Sequence, residues 1–200
     1  MRTRPRPHRG GLVRLVALLA LGVMATLASG PSAFADPWGT NTTDTGAHPD
    51  SDPHTYCYSS SVGSDAQPNM SDAEWDAMDP TAVNVDYNST CDLSSSTETD
   101  VVWREGDLAG SRLGETYCED FDTYCDQFYV TLDLPRIAVG SEDEIDETMV
   151  ACHELGHTGG LTHGGSSTDC MADRGETPPT ALQYRRYGGH HKDHFTDWFN

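Results

Sequence analysis

His153 and His157 stand four residues apart, with Glu154 beside the first and His163 six residues beyond the second, in the stretch HELGHTGGLTH. On a helix, positions i and i+4 share a face, one turn or about 5.4 Å apart along the axis. Two imidazoles so placed can share one metal ion. A glutamate next to the first can face a water on that ion without ligating it. Gly160 lets the chain fold back after the helix, so that His163 can supply a third imidazole from outside it. Three histidines with one position left open is a catalytic zinc arrangement, whereas structural zinc sites are usually closed by four protein ligands. The chemistry expected there is hydrolysis of a peptide bond. Zinc lowers the pKa of its bound water to about 7, Glu154 accepts the proton as hydroxide attacks a polarised carbonyl, and the proton then passes to the leaving amine. A solvated, histidine-rich helix face would offer the same residue types, so the flanking elements decide between the two.

Those elements fit a positioned site. Upstream lies GSEDEIDETMVACHELGHTGG, which predicts a helix over 142–159. Ser141 can cap its N-terminus with Glu144 reaching back, and acidic residues crowd the first turn, where the helix dipole favours them. Ile145, Met149, Cys152 and Leu155 recur at helical spacing and supply a buried face. Gly159 and Gly160 end the helix, because glycine accepts the left-handed conformation of a C-cap. Earlier in the chain, DVVWREG from Asp100 and QFYVTLDL from Gln127 read as strands. SDAEWDAM opens with Ser71 and Glu74 three residues apart, a capping-box pattern for a short helix. A last helical segment is expected over TALQYRRYGGHHKDHFTDWFN, with an interruption at Gly188-Gly189. The fold class is α+β, with a twisted mixed sheet packed on helices.

The ends and the composition bound the rest. Residues 1–35 combine basic residues, an apolar run and a terminal Ala33-Phe34-Ala35, the three parts of a secretory signal peptide. Residues 36–56 are poor in apolar side chains and read as a flexible arm or short activation segment, leaving 57–200 as one catalytic domain. Loss of 1–35 takes five of the twelve basic residues and none of the 32 acidic ones, deepening the formal charge from −20 to −25. Such a chain repels phosphate backbones, which argues against nucleic acid as a partner. No later segment could span a membrane, so the mature chain is expected to be secreted and monomeric. Its six cysteines are even in number, as in a disulfide framework of an exported protein. Cys118 with Cys125 would close a short loop, with Cys57–Cys91 and Cys152–Cys170 following by elimination. CEDFDTYC and SEDEIDE are acidic enough to attract calcium, but neither has the alternating aspartates of an EF-hand loop.

HELGHTGGLTH, followed by Met171 in TDCM, resembles the metzincin clan of zinc endopeptidases, which combine this long motif with a methionine-containing turn beneath the metal. The resemblance implies that His153, His157 and His163 are zinc ligands and Glu154 the general base. It also implies that Gly160 and Met171 are supporting residues, with a Met-turn near 171 and a small C-terminal subdomain. Size and export signal are similar to the snapalysin-type proteases secreted by actinobacteria, although that family usually has aspartate where this chain has His163. The clan's fold would set QFYVTLDL near the cleft, where an edge strand can pair with an extended polypeptide substrate. Some metzincins place a tyrosine two residues after the turn methionine; this chain has Asp173 there.

Tyr184 and Tyr187 could assist an oxyanion, but tyrosines at this spacing more often pack in a core. HHKDH, from His190 to His194, could bind metal, but it reads rather as a solvated helix face, since no glutamate or glycine framework accompanies it. The export signal and the resemblance imply a bacterial source, in which the sequons at Asn41, Asn69 and Asn88 are expected to be unmodified. Two other functions fit the same residues: an extracellular zinc-binding protein without catalysis, and an amidase acting on a non-protein amide.

Overall fold

The protein is described by a computed structural model at residues 49–50, 53–94, 97–121, 123–138, 142–163, 169–172 and 182–199. The expected signal peptide, Asn41, Ser141 and Asp173 lie outside these residues. Five strands form one sheet: β1 (His54–Tyr58), β2 (Val85–Tyr87), β3 (Val101–Glu105), β4 (Gly114–Phe121) and β5 (Cys125–Leu132). Their spatial order is β2-β1-β3-β5-β4. The pairs β1/β2, β1/β3 and β3/β5 are parallel, and β4 runs antiparallel to β5, so the class is α+β with a mixed sheet.

The strand sequences follow from their places. Parallel strands covered on both faces read as near-continuous apolar runs, and β3 buries Val101, Val102 and Trp103 in succession. β5, flanked by β3 and β4, buries Phe128, Tyr129, Val130 and Leu132. QFYVTLDL is therefore an interior strand, and the edge beside it is β4, whose GETYCEDF is far more polar. An edge strand needs apolar residues on only one face, and charged residues there resist unwanted pairing. β1 begins at His54, inside the stretch expected to be an arm. Its His54 Nε2–H donates to Thr158 Oγ1 at 2.8 Å, and that hydroxyl donates to the Leu155 carbonyl at 2.7 Å.

The helices are α1 (Gln67–Asp72), the single turn α2 (Leu134–Ile137), α3 (Asp143–Thr158) and α4 (Gly189–Phe199), with a 3₁₀ turn at Leu182–Arg185 before the last. Helix α1 runs without a break into a π-helical segment, Ala73–Met78. The Ser71–Glu74 capping box is thus corrected. Ser71 sits inside the helix, and Glu74 turns inward, fully buried, to accept a 2.8 Å hydrogen bond from Trp103 Nε1. A tertiary partner outcompeted the local cap. Burial pushes the Glu74 carboxyl up to about 8, with the nearby Asp100 charge adding and the Trp103 bond opposing.

Three disulfides tie this framework: Cys57–Cys91, Cys118–Cys125 across the β4–β5 turn, and Cys152–Cys170 from α3 to the segment around Met171. Bonds of this kind persist in oxidising, extracytoplasmic compartments. No described helix is long and apolar enough to cross a membrane.

Candidate metal centre

Helix α3 carries the site, and both of its ends are built for it. Its first turn holds Asp143, Glu144 and Asp146, favourably placed on the dipole. Of the expected inward face, Met149, Cys152 and Leu155 are buried, and Ile145 is half-buried. The helix stops because Gly160 takes φ +84°, where a β-carbon would clash. The Gly160 amide then bonds the His157 carbonyl at 3.1 Å and the Leu161 amide the Gly156 carbonyl at 3.0 Å, a Schellman closure. Reversal at this point brings His163 back over the last turn of α3.

His153, His157 and His163 converge. Their ring centroids are each 4.9 Å apart, and their potential ligand atoms lie within 4.8 Å of one another. His157 Nε2 is 3.3 Å from His153 Nε2 and 3.2 Å from His163 Nε2. The other ring nitrogens fix the tautomers. His153 Nδ1 is 2.7 Å from the Cys170 carbonyl and His157 Nδ1 is 2.8 Å from the Leu161 carbonyl. A carbonyl only accepts, so both Nδ1 atoms carry a proton, and in the neutral ring the lone pair is left on Nε2. Two lone pairs 3.3 Å apart repel, and a cation between them removes that repulsion. Burial pushes His157 down to about 4, and the neighbouring His163 adds to this against the Leu161 hydrogen bond, so the ring is neutral at physiological pH. The donor set fits a divalent metal of the imidazole-preferring class. Among the described residues no other group of three or more His, Cys, Asp or Glu converges in this way.

Glu154 is buried to 7 % exposure beside this group. Thr116 Oγ1, on the edge strand β4, lies 2.8 Å from Glu154 Oε2 and 2.9 Å from its main-chain oxygen. One hydroxyl proton serves one of these acceptors at a time. Gly114, two residues earlier on β4, packs so closely that a β-carbon there would fall 2.5 Å from Glu154 Cγ and Oε1. The edge strand thus runs directly against the carboxylate.

Met171 is fully buried under α3. A β-carbon on Gly156 would lie 2.2 Å from its Sδ, so the glycine inside HELGH is what lets the methionine sit against the helix. Asp169 organises the turn. Its Oδ1 accepts from the Met171 amide at 3.1 Å, and its Oδ2 from the Gly188 amide at 2.7 Å and His191 Nδ1 at 2.6 Å. The same turn presents the Cys170 carbonyl to His153, while the Cys152–Cys170 bond anchors it to α3.

The remaining expectations divide. Tyr187 is buried, and its hydroxyl donates to the Cys152 carbonyl at 2.8 Å; burial raises its pKa well above 10, and it serves the core. Tyr184 is half-buried on the 3₁₀ turn. HHKDH is corrected in part, because His191 is 2 % exposed and held by Asp169. Asn69 donates to Glu147 Oε2 at 2.6 Å from within α1, and Asn88 Nδ2 to Thr99 Oγ1 at 3.4 Å. Thr116 and Gly114 were not foreseen, since no short-range spacing links them to the motif; Asp169, inside TDCM, and His191, inside HHKDH, pair only through the tertiary fold. No protein-family model matches the chain, and no curated protein sequence matches it.

Proposed function

We propose that this protein is a secreted zinc-dependent endopeptidase of the metzincin kind. The observation that carries the reading is the convergence of three imidazoles beside a buried glutamate that an edge strand contacts. His153, His157 and His163 would hold the ion. Bound there, zinc supplies Lewis acidity and lowers the pKa of a coordinated water to about 7. The chain's own groups do the rest. Glu154 takes a proton from the attacking water and delivers it to the amine nitrogen that leaves. Thr116 and Gly114 hold the Glu154 carboxylate in place, and the Cys170 and Leu161 carbonyls keep the two helix imidazoles in the tautomer that ligates.

Strand β4 supports a polypeptide substrate. It is an eight-residue sheet edge, and an extended peptide adding to it by β-pairing would lie beside Glu154. The exposed Tyr117 on the same strand offers an apolar contact. The acidic charge argues against nucleic acid as a partner, and three disulfides suit action outside the cell.

Zinc content and casein hydrolysis, measured together on the wild type and on Glu154→Ala, test the reading. Wild type should bind zinc and cleave, and the variant should bind zinc with cleavage reduced by 10²-fold or more, as loss of a general base predicts. Zinc bound by both and cleavage by neither overturns the peptidase and leaves a zinc-binding protein or an amidase on another substrate.

A further inference from the structure

Helix α4 repeats half of the α3 arrangement. His190 and His194 are four residues apart, their Nε2 atoms are 3.3 Å apart, and their rings lie at 4.7 Å and 82°. The His153–His157 pair on α3 has the corresponding values 3.3 Å, 4.9 Å and 84°. Two imidazoles at this helical spacing have many rotamers in which their nitrogens diverge. Convergence of both Nε2 atoms on one point is the geometry in which two successive turns chelate a single cation. His191, between them, faces the core and is engaged by Asp169, so it takes no part.

We propose that His190 and His194 form a second metal site, for a borderline divalent cation of the Zn²⁺, Ni²⁺ and Cu²⁺ class, with water completing the coordination. Imidazole donors select these ions and reject Ca²⁺ and Mg²⁺, which demand oxygen. With two protein ligands instead of three, the site is weaker than the α3 centre and gives up its metal to a chelator first. Its consequence is structural. An ion bridging two turns holds α4 in helical form, and α4 buries Phe195 and presents His191 to the turn around Met171. Binding that requires the folded helix stabilises it by mass action. None of this depends on the chain being a peptidase.

A hydrogen bond between the two rings would give the same contact, so the test reads metal directly. The purified full chain is dialysed against excess Ni²⁺ or Zn²⁺ and its metal content measured, for wild type and for His190→Gln/His194→Gln. One equivalent should be lost in the double variant; equal content in the two proteins overturns the site. On the wild type alone, excess Zn²⁺ should protect both histidines from acylation by diethylpyrocarbonate, read by mass spectrometry of the α4 peptide, and unchanged acylation overturns it as well. Two equivalents falling to one leaves the α3 centre standing, whereas one falling to none supports the α4 site and refutes metal binding at α3.

Discussion

Replacing Gly114 by alanine perturbs the proposed base without touching a ligand. The added β-carbon would sit 2.5 Å from Glu154 Cγ and Oε1 and 2.7 Å from Cδ. Ordinary carbon contacts begin near 3.5 Å, so the carboxylate must retreat by about 1 Å. A displacement of that size in a reacting group can cost about 10²-fold in rate. Stability should fall as well, since overpacking a close contact typically costs about 1–3 kcal/mol. Gly114 has no positive φ, and the preference for alanine over glycine in a strand, roughly 0.5–1 kcal/mol, offsets part of that cost. The variant should therefore fold, bind zinc as the wild type does, and lose about 10²-fold in kcat/KM on casein-derived peptides. Serine in place of alanine should behave alike, since the clash is with the β-carbon. Activity within threefold of wild type, with zinc bound and the chain folded, would refute the idea that β4 positions Glu154.

Two further outcomes follow from the framework. Replacing Cys152 and Cys170 together by alanine opens an 18-residue loop, worth about 3 kcal/mol of stability in the chain-entropy account. It also releases the carbonyl that holds His153, so zinc affinity should fall along with the urea midpoint; an unchanged affinity would separate the turn from the site. Glu74 governs a pH dependence. Its folded value of about 8 lies above its ordinary 4.5, so the folded state holds the extra proton between them. Its contribution is fully present below about pH 4.5 and is lost as pH rises through 8. Each tenfold of proton affinity is about 1.4 kcal/mol, so several kcal/mol are at stake. Glu74→Gln keeps an acceptor for Trp103 and should flatten the decline in denaturation midpoint between pH 5 and 8. The same slope in the variant would place the titration elsewhere.

Much of the site was legible because its parts are local. The four-residue spacing of His153 and His157 needs only the helical repeat, the return of His163 needs only Gly160 at its positive φ, and the disulfide pairing began from a short loop. The interior strands β3 and β5 announced themselves by apolar runs. The edge strand β4 did not, because solvent on one side permits the charged and polar residues of GETYCEDF. Glu74 deceived the local pattern, since a buried indole was a stronger partner than a helix end.

The sequence by itself determined an α+β class, a helix with two imidazoles on one face, and a glycine turn returning a third. Tertiary structure decided what surrounds them. Gly114 and Thr116 reach Glu154 from some forty residues away, and Asp169 joins the Met171 turn to α4 through His191. Helical periodicity acts over four residues and is written in the chain. Contacts across the sheet and between helices depend on how the core packs, and no spacing records them.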